Sequence, residues 1–179
     1  MKTRSSTGKK VSPAPMLHYS IFHHKLVGDL LLVADGDHLI RAIYTDAPSG
    51  KKEKGWIHDP AHPVLREAAL QLADYLDGKR KDLSTALFKI TGSPFQIRVY
   101  KEVLTIPLGH IMSYSELARK LNMPGAARSV GAALGKNQLL IFIPDHRVIS
   151  QNGGIGGFGG TWNRKPGLLE LEERMAGKS

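Results

Sequence analysis

The sequence predicts an α/β unit followed by a mostly α unit built around two short helices and a turn. Three patterns carry that prediction. Residues 16–46 hold apolar runs of strand length, broken by a tight-turn signal. Val64, Leu65, Ala68, Ala69, Leu72 and Leu76 then recur at helical spacing. Beyond residue 92 the chain reads as successive capped helices.

Taken in order, residues 1–15 are rich in Ser, Lys, Thr and Pro with almost nothing to bury, the composition of a disordered basic tail. Leu17, Tyr19 and Ile21 alternate with polar residues. Leu30-Leu31-Leu32-Val33 and Leu39-Ile40 are joined through Asp35-Gly36-Asp37, a hairpin signal. Residues 47–62 read as a loop of Pro, Gly and Lys, with Lys51, Lys52 and Lys54 as solvated charges. His62-Pro63 opens a helix and Gly78 ends it. A boundary is expected near Lys89–Gly92. It divides the chain into the tail, an N-terminal domain over 16–91 and a C-terminal domain over 92–179.

In the second domain, Ser93-Pro94 caps a helix with Pro at its first position, and Phe95, Val99, Val103 and Leu104 form its buried face. Ser113 or Ser115 caps the next, running through Glu116, Leu117, Ala118 and Leu121. Asn122-Met123-Pro124-Gly125 is a turn, and residues 126–135 are a second helix of small residues. A helix-turn-helix has this layout, and its second helix docks on DNA. An ordinary helical hairpin in a core has it too. Leu168, Leu169 and Leu171 start a last helix.

Composition narrows the function classes. The hydrophobic share of 41% and charged share of 23% fit a soluble globular protein. No apolar run approaches the roughly 20 residues of a membrane helix, and no secretory segment follows the basic start, so a cytoplasmic or nuclear location without membrane contact is expected. There is no cysteine, which excludes disulfides, thiolate metal sites and thiol nucleophiles. The net charge of +9 is uneven. Lys2, Arg4, Lys9 and Lys10 face no acid in the tail, residues 17–91 are balanced, and residues 92–179 are basic, as expected of a half that meets a polyanion. Solubility is the other reading of that charge. His18, His23, His24, His58 and His62 are scattered without tight ligand spacing, so no metal is expected. The glycines at 153, 154, 156, 157, 159 and 160 surround Ile155 and Phe158 in a loop that can bring backbone N–H groups close to a ligand. It has no Walker pair and opens no Rossmann unit, so no nucleotide cofactor is expected.

The chain is organised around Ile141-Phe142-Ile143-Pro144-Asp145-His146-Arg147-Val148-Ile149. Leaving Ile141, Phe142 and Ile143 exposed would forfeit roughly 1.5–3 kcal/mol each, so the run is buried. Asp145, His146 and Arg147 are then expected where the segment surfaces, a place for a pocket. A carboxylate beside an imidazole there can titrate abnormally, take protons or bind a cation. The alternative is a loop whose Asp and Arg form an ion pair.

With these pieces in hand, residues 93–173 resemble the O6-alkylguanine-DNA alkyltransferases. The matching segments are Pro94-Phe95-Gln96, Ile106-Pro107-Leu108-Gly109, Ser113-Tyr114-Ser115-Glu116-Leu117-Ala118, Ala127-Arg128-Ser129-Val130-Gly131, Lys136-Asn137, Ile143-Pro144 followed by His146-Arg147-Val148-Ile149, the glycine loop, and Leu168-Leu169 with Glu172. The combination is specific where no single piece is. The resemblance implies an RNase H-like α/β N-terminal domain and a winged-helix/helix-turn-helix DNA-binding domain. The zinc site that some relatives carry uses cysteines, so it is not expected.

The resemblance also assigns roles. The second helix, with Ala127, Ser129 and Gly131, would lie in the minor groove, and Arg128 would fill the gap left by an extruded nucleotide. Tyr114 would crowd the target phosphate and contact the flipped base, with Ser115 and Arg147 also at the DNA. Asn137, His146 and Glu172 match the network beside the accepting group, where His146 would hand a proton to Glu172. The carbonyls of Asp145 and Val148 would hold the base's amino group, and Gly156, Gly157, Phe158 and Gly159 would close the pocket. Phe158 stands where Tyr is common.

Asp145 occupies the position of the family's alkyl-accepting cysteine. Alkyltransferase-like relatives that lack the cysteine usually carry Trp or Ala there, bind O6-alkylguanine and pass it to excision repair. An ionised Asp only accepts hydrogen bonds and repels O6, whereas a protonated one donates to it. The favoured expectation is a monomeric, non-transferring binder of duplex DNA carrying alkylated guanine, with excision-repair proteins as partners. Two other readings stay open: an enzyme using Asp145 with His146 as nucleophile or base, and a methyltransferase inactivated at its acceptor position. A sequence-specific winged-helix regulator is a fourth, with no effector signal to support it.

Overall fold

The computed structural model describes residues 16–154 and 164–177. The expected tail over 1–15 and the expected pocket residues Gly156, Gly157, Phe158 and Gly159 lie outside the described residues.

Strands β1 (His18–His24), β2 (Gly28–Asp35) and β3 (His38–Tyr44) form an antiparallel meander. The Asp35-Gly36-Asp37 signal is the β2–β3 turn, with Gly36 at φ 54. A positive φ there suits glycine, which has no Cβ to clash. The alternation in β1 reads inversely to the surface pattern of its side chains. Ser20 is buried and Ile21 is half exposed, because the register sets Ser20 opposite Leu32 and Ile21 opposite Leu31. Leu32 faces the helix-covered core, so its partner Ser20 is carried inside with it. The expected loop over 47–62 contains a fourth strand, β4 (Ile57–His58), parallel to β1. Two residues are too few to show a period of two, so the pattern could not reveal it.

Helix α1 (Pro63–Leu76) packs Leu65, Ala68 and Leu72 on the sheet, with Pro63 opening it and no side-chain cap. Helix α2 (Pro94–Val103) starts with a capping box between Ser93 and Gln96. Strand β5 (Met112–Ser113) leads into α3 (Tyr114–Lys120), where Ser113, and not Ser115, is the cap and Glu116 reaches back to it. After a turn with Asn122 at φ 58 comes α4 (Ala127–Leu134). Strand β6 (Val148–Ile149) pairs in parallel with β5, and α5 (Lys165–Met175) closes the described chain. No described helix is long and apolar enough to cross a membrane.

The two halves share one hydrophobic core. They also share a ladder. Ala42 on the outer edge of β3 receives Leu140 N–H at 2.9 Å and donates to Gln138 O at 2.7 Å, and Lys89 N–H reaches Leu39 O at 3.1 Å. Covering an edge strand in this way satisfies its unpaired backbone groups. It also ties the segment before Pro144 to the N-terminal sheet.

Candidate functional site

The site is set by the apolar run. Ile141, Phe142 and Ile143 are all buried, and Ile141 sits at φ 73. A β-branched residue in the left-handed region is strained, on the order of 1–3 kcal/mol. Its burial against the core holds it there. Beyond Pro144 the chain makes a single tight turn over Asp145–Arg147 and enters β6.

This turn does not surface as expected. His146 and Arg147 are buried, and Asp145 keeps only a partial opening. Both point to Glu172 on α5. His146 Nε2 lies 2.5 Å from Glu172 Oε1, and Arg147 Nε donates to Oε2 at 2.8 Å. Arg147 also donates to Ile106 O at 2.6 Å, and Gly109 N–H to Glu172 Oε2 at 3.3 Å. Tyr75 of α1 donates its hydroxyl to the same carboxylate. Arg147 is therefore not placed to touch DNA: its guanidinium is committed to a buried anion. Nor does it pair with Asp145, the alternative reading of the sequence.

Burial pushes the Glu172 carboxyl up, but the hydrogen bonds and charges of His146 and Arg147 overcome it and hold the group at about 2. At neutral pH such a carboxylate takes no proton. Through the Nε2 contact it fixes the orientation of the imidazole. The other ring nitrogen, His146 Nδ1, is buried with no partner among the described residues.

Asp145 is enclosed differently. Asn137 Nδ2 donates to Oδ2 at 3.2 Å and to Ile143 O at 3.1 Å, while Asn137 Oδ1 accepts Leu139 N–H at 2.9 Å. Burial raises the Asp145 pKa; the charge of His146, the Asn137 amide, the charge of Lys165 and the His146 backbone N–H oppose it without cancelling it. Tyr100 and Tyr114 lie within reach of its charge. Burial and then Asp145 push the Tyr100 hydroxyl up to about 12, and the same two causes raise Tyr114.

Tyr114 opens α3 and its ring faces Gly131 of α4, where an added Cβ would stand 3.7 Å from two ring carbons. The α3–α4 pair thus packs Tyr114 against Gly131, with the Tyr114 hydroxyl within reach of the Asp145 charge. Ser115 is half-buried, with Oγ 3.4 Å from Gln151 Oε1. Ala127 is half-buried, whereas Arg128 and Ser129 stand exposed in the first turn of α4. Arg128 pairs with no acid among the described residues. Val148 is buried and its carbonyl accepts Lys165 Nζ at 2.5 Å.

Four further residues belong to this site and were not anticipated: Tyr44, Tyr75, Tyr100 and Lys165. Tyr44, Tyr75 and Tyr100 come from strand or helix stretches where an aromatic reads as ordinary core. Lys165 had one available signal, its place just before Pro166, which starts a helix and so fixes the direction of its neighbours.

Residues 94–174 match the family model described as 6-O-methylguanine DNA methyltransferase, DNA binding domain. Residues 17–88 match 6-O-methylguanine DNA methyltransferase, ribonuclease-like domain. The chain is 39% identical over 149 residues to a methylated-DNA–protein-cysteine methyltransferase of Mycobacterium leprae, a span of 83% of this chain and 88% of that one. Its structure is similar to Mycobacterium tuberculosis OGT in complex with DNA, with TM-score 0.80 and 37% identity, covering 88% of this chain and 94% of that one. An O6-methylguanine DNA methyltransferase from Methanococcus jannaschii is similar at TM-score 0.63 and 25% identity, covering 86% and 92%. The fold is the expected one, a ribonuclease-like α/β domain followed by a helical DNA-binding domain. With both halves matched in order, the chain belongs to the 6-O-methylguanine DNA methyltransferase family.

Proposed function

We propose that this protein binds duplex DNA through the minor groove, extrudes an O6-alkylguanine into the pocket beside Asp145, and holds it there without transferring the alkyl group to a cysteine. Its family repairs alkylated guanine in DNA, and the chain carries that family's DNA-binding domain. One observation carries the finer reading. The partly open turn that ends the buried run presents a carboxylate, Asp145, among Tyr100, Tyr114 and Asn137, and the chain has no sulfur nucleophile. Three features support recognition: an exposed arginine at the start of α4, a tyrosine within reach of the Asp145 charge, and a close α3–α4 approach. Extrusion costs a few kcal/mol of unstacking, which the flat cation of Arg128 offsets in part. A protein that grips a lesion and leaves it intact has to pass it on, so excision-repair proteins are the partner class.

The raised Asp145 pKa fits this role. A carboxyl pushed toward its neutral form can donate to O6, whereas the anion repels it.

The test is incubation of the full chain with duplexes containing O6-methylguanine or guanine, followed by affinity measurement and intact mass of protein and DNA. Tighter binding to the lesion, with both masses unchanged, is the expected result. A methylated protein, or demethylated DNA in excess of protein, overturns it in favour of a reacting carboxylate. His146 Nδ1, buried without a partner among the described residues, makes that the second reading.

A further inference from the structure

Arg164 and Lys165 are consecutive residues with opposite destinations. Arg164 is seated in the N-terminal domain. Its Nε donates to Val27 O at 2.6 Å, its Nη2 to Asp46 Oδ2 at 2.6 Å, and its guanidinium carbon lies 4.2 Å from the centre of the Tyr44 ring. Gly28 borders the same seat: an added Cβ there would stand 3.5 Å from Arg164 Nη2. Lys165 turns the other way. It is buried, and its ammonium is held 2.5 Å from the carbonyl of Val148, at the edge of the pocket. Arg164 is the N-cap residue of α5 and Pro166 stands in the first turn, so little backbone freedom separates the two side chains.

We infer that Arg164 is a positioning residue through which the N-terminal domain fixes Lys165, and with it the Val148 edge of the base pocket. The inference rests on the pocket reading above. Tyr44 strengthens it. Its ring forms the wall of the arginine seat, while its buried hydroxyl has no partner among the described residues and lies within reach of the Asp145 charge. One tyrosine of β3 therefore borders both the seat and the acceptor position. The ammonium of Lys165 occupies one lone pair of Val148 O, and its charge acts on Asp145 alongside that of His146. A guanine amino group reaching that carbonyl has to share it with Lys165. Losing the Arg164 seat frees Lys165 to leave the carbonyl and the carboxylate, and the pocket then loses its fixed pattern of donors and acceptors.

Two variants test this, Arg164→Ala and Asp46→Ala; Asp46 has an exposed carboxylate, so its loss leaves the core intact. The first readout is the ratio of affinities for O6-methylguanine and unmodified duplexes. It is expected to fall on the order of tenfold in Arg164→Ala, within the range of couplings between linked sites, and less in Asp46→Ala. A merely structural role lowers thermal stability and leaves that ratio unchanged. The second readout needs no DNA: a pH titration of the Lys165 amine by NMR of lysine-labelled protein. Burial lowers the Lys165 pKa against the pull of Asp145, and Arg164→Ala is expected to return it toward the ordinary lysine value. An unchanged Lys165 titration in Arg164→Ala overturns the inference. If the parent protein shows no lesion preference, the pocket reading fails, and the amine titration still decides the positioning role.

Discussion

His146 and Glu172 meet out of reach of solvent, imidazole Nε2 against carboxylate Oε1 at 2.5 Å. The carboxylate also receives Arg147, Tyr75 and the Gly109 N–H. One anion thus binds α5, α1, the loop after α2 and the Asp145 turn together. Its charge is needed by a buried guanidinium, so removing it leaves Arg147 uncompensated.

Glu172→Gln leaves Arg147 buried without its anion, and breaking such a pair costs about 3–5 kcal/mol. The pH dependence has a definite sign. The Glu172 pKa is depressed from 4.5 to about 2, so its contribution is present above the unfolded value and is lost as pH falls from there toward about 2. Urea unfolding of both proteins across this range is expected to show a gap at pH 7 that narrows in acid. A gap independent of pH sinks this account.

Asp145→Asn has the opposite signature. The folded pKa of Asp145 is raised above 3.8, so the folded state prefers the protonated form. Ionising the group destabilises the protein once pH rises above that unfolded value. Asparagine removes that penalty. The variant is expected to be more stable than the parent at neutral pH, with the difference closing near pH 4 and below. Thermal melts at several pH values measure it.

Arg128→Ala removes the exposed cation at the start of α4. Preference for O6-methylguanine over guanine duplexes is expected to fall, while weaker, salt-dependent binding to any duplex persists through phosphate contacts. The slope of log affinity against log salt is expected to flatten by no more than about one ion. Full retention of lesion preference removes Arg128 from the extrusion step.

Asp145→Cys places a thiol beside His146. Single-turnover transfer of the methyl group to the protein, read by intact mass, is the expected gain. No transfer in a folded, DNA-binding variant shows that more than residue 145 separates this chain from its transferring relatives.

The strands and helices were readable where a pattern repeats. The apolar run before Pro144, the Asp35-Gly36-Asp37 turn, the Pro63 start of α1 and the Ser93 and Ser113 caps are local chemistry, and each appears at its expected place. β4 and the true inner face of β1 were not readable. A two-residue strand has no period, and Ser20 is buried only because of what lies across from it.

The site divides in the same way. The sequence by itself determined that a carboxylate, and no thiol, follows the buried Ile141–Ile143 run, and that two short helices joined by a turn, with Arg128 in the second, precede it. Only the tertiary structure decided that Arg147 turns inward, that Glu172 stays ionised, and that Tyr44, Tyr75 and Lys165 converge on the turn. Burial and charge pairing between residues far apart in the chain set these outcomes, because a side chain's solvent and partners are properties of the packed molecule, not of its neighbours in sequence.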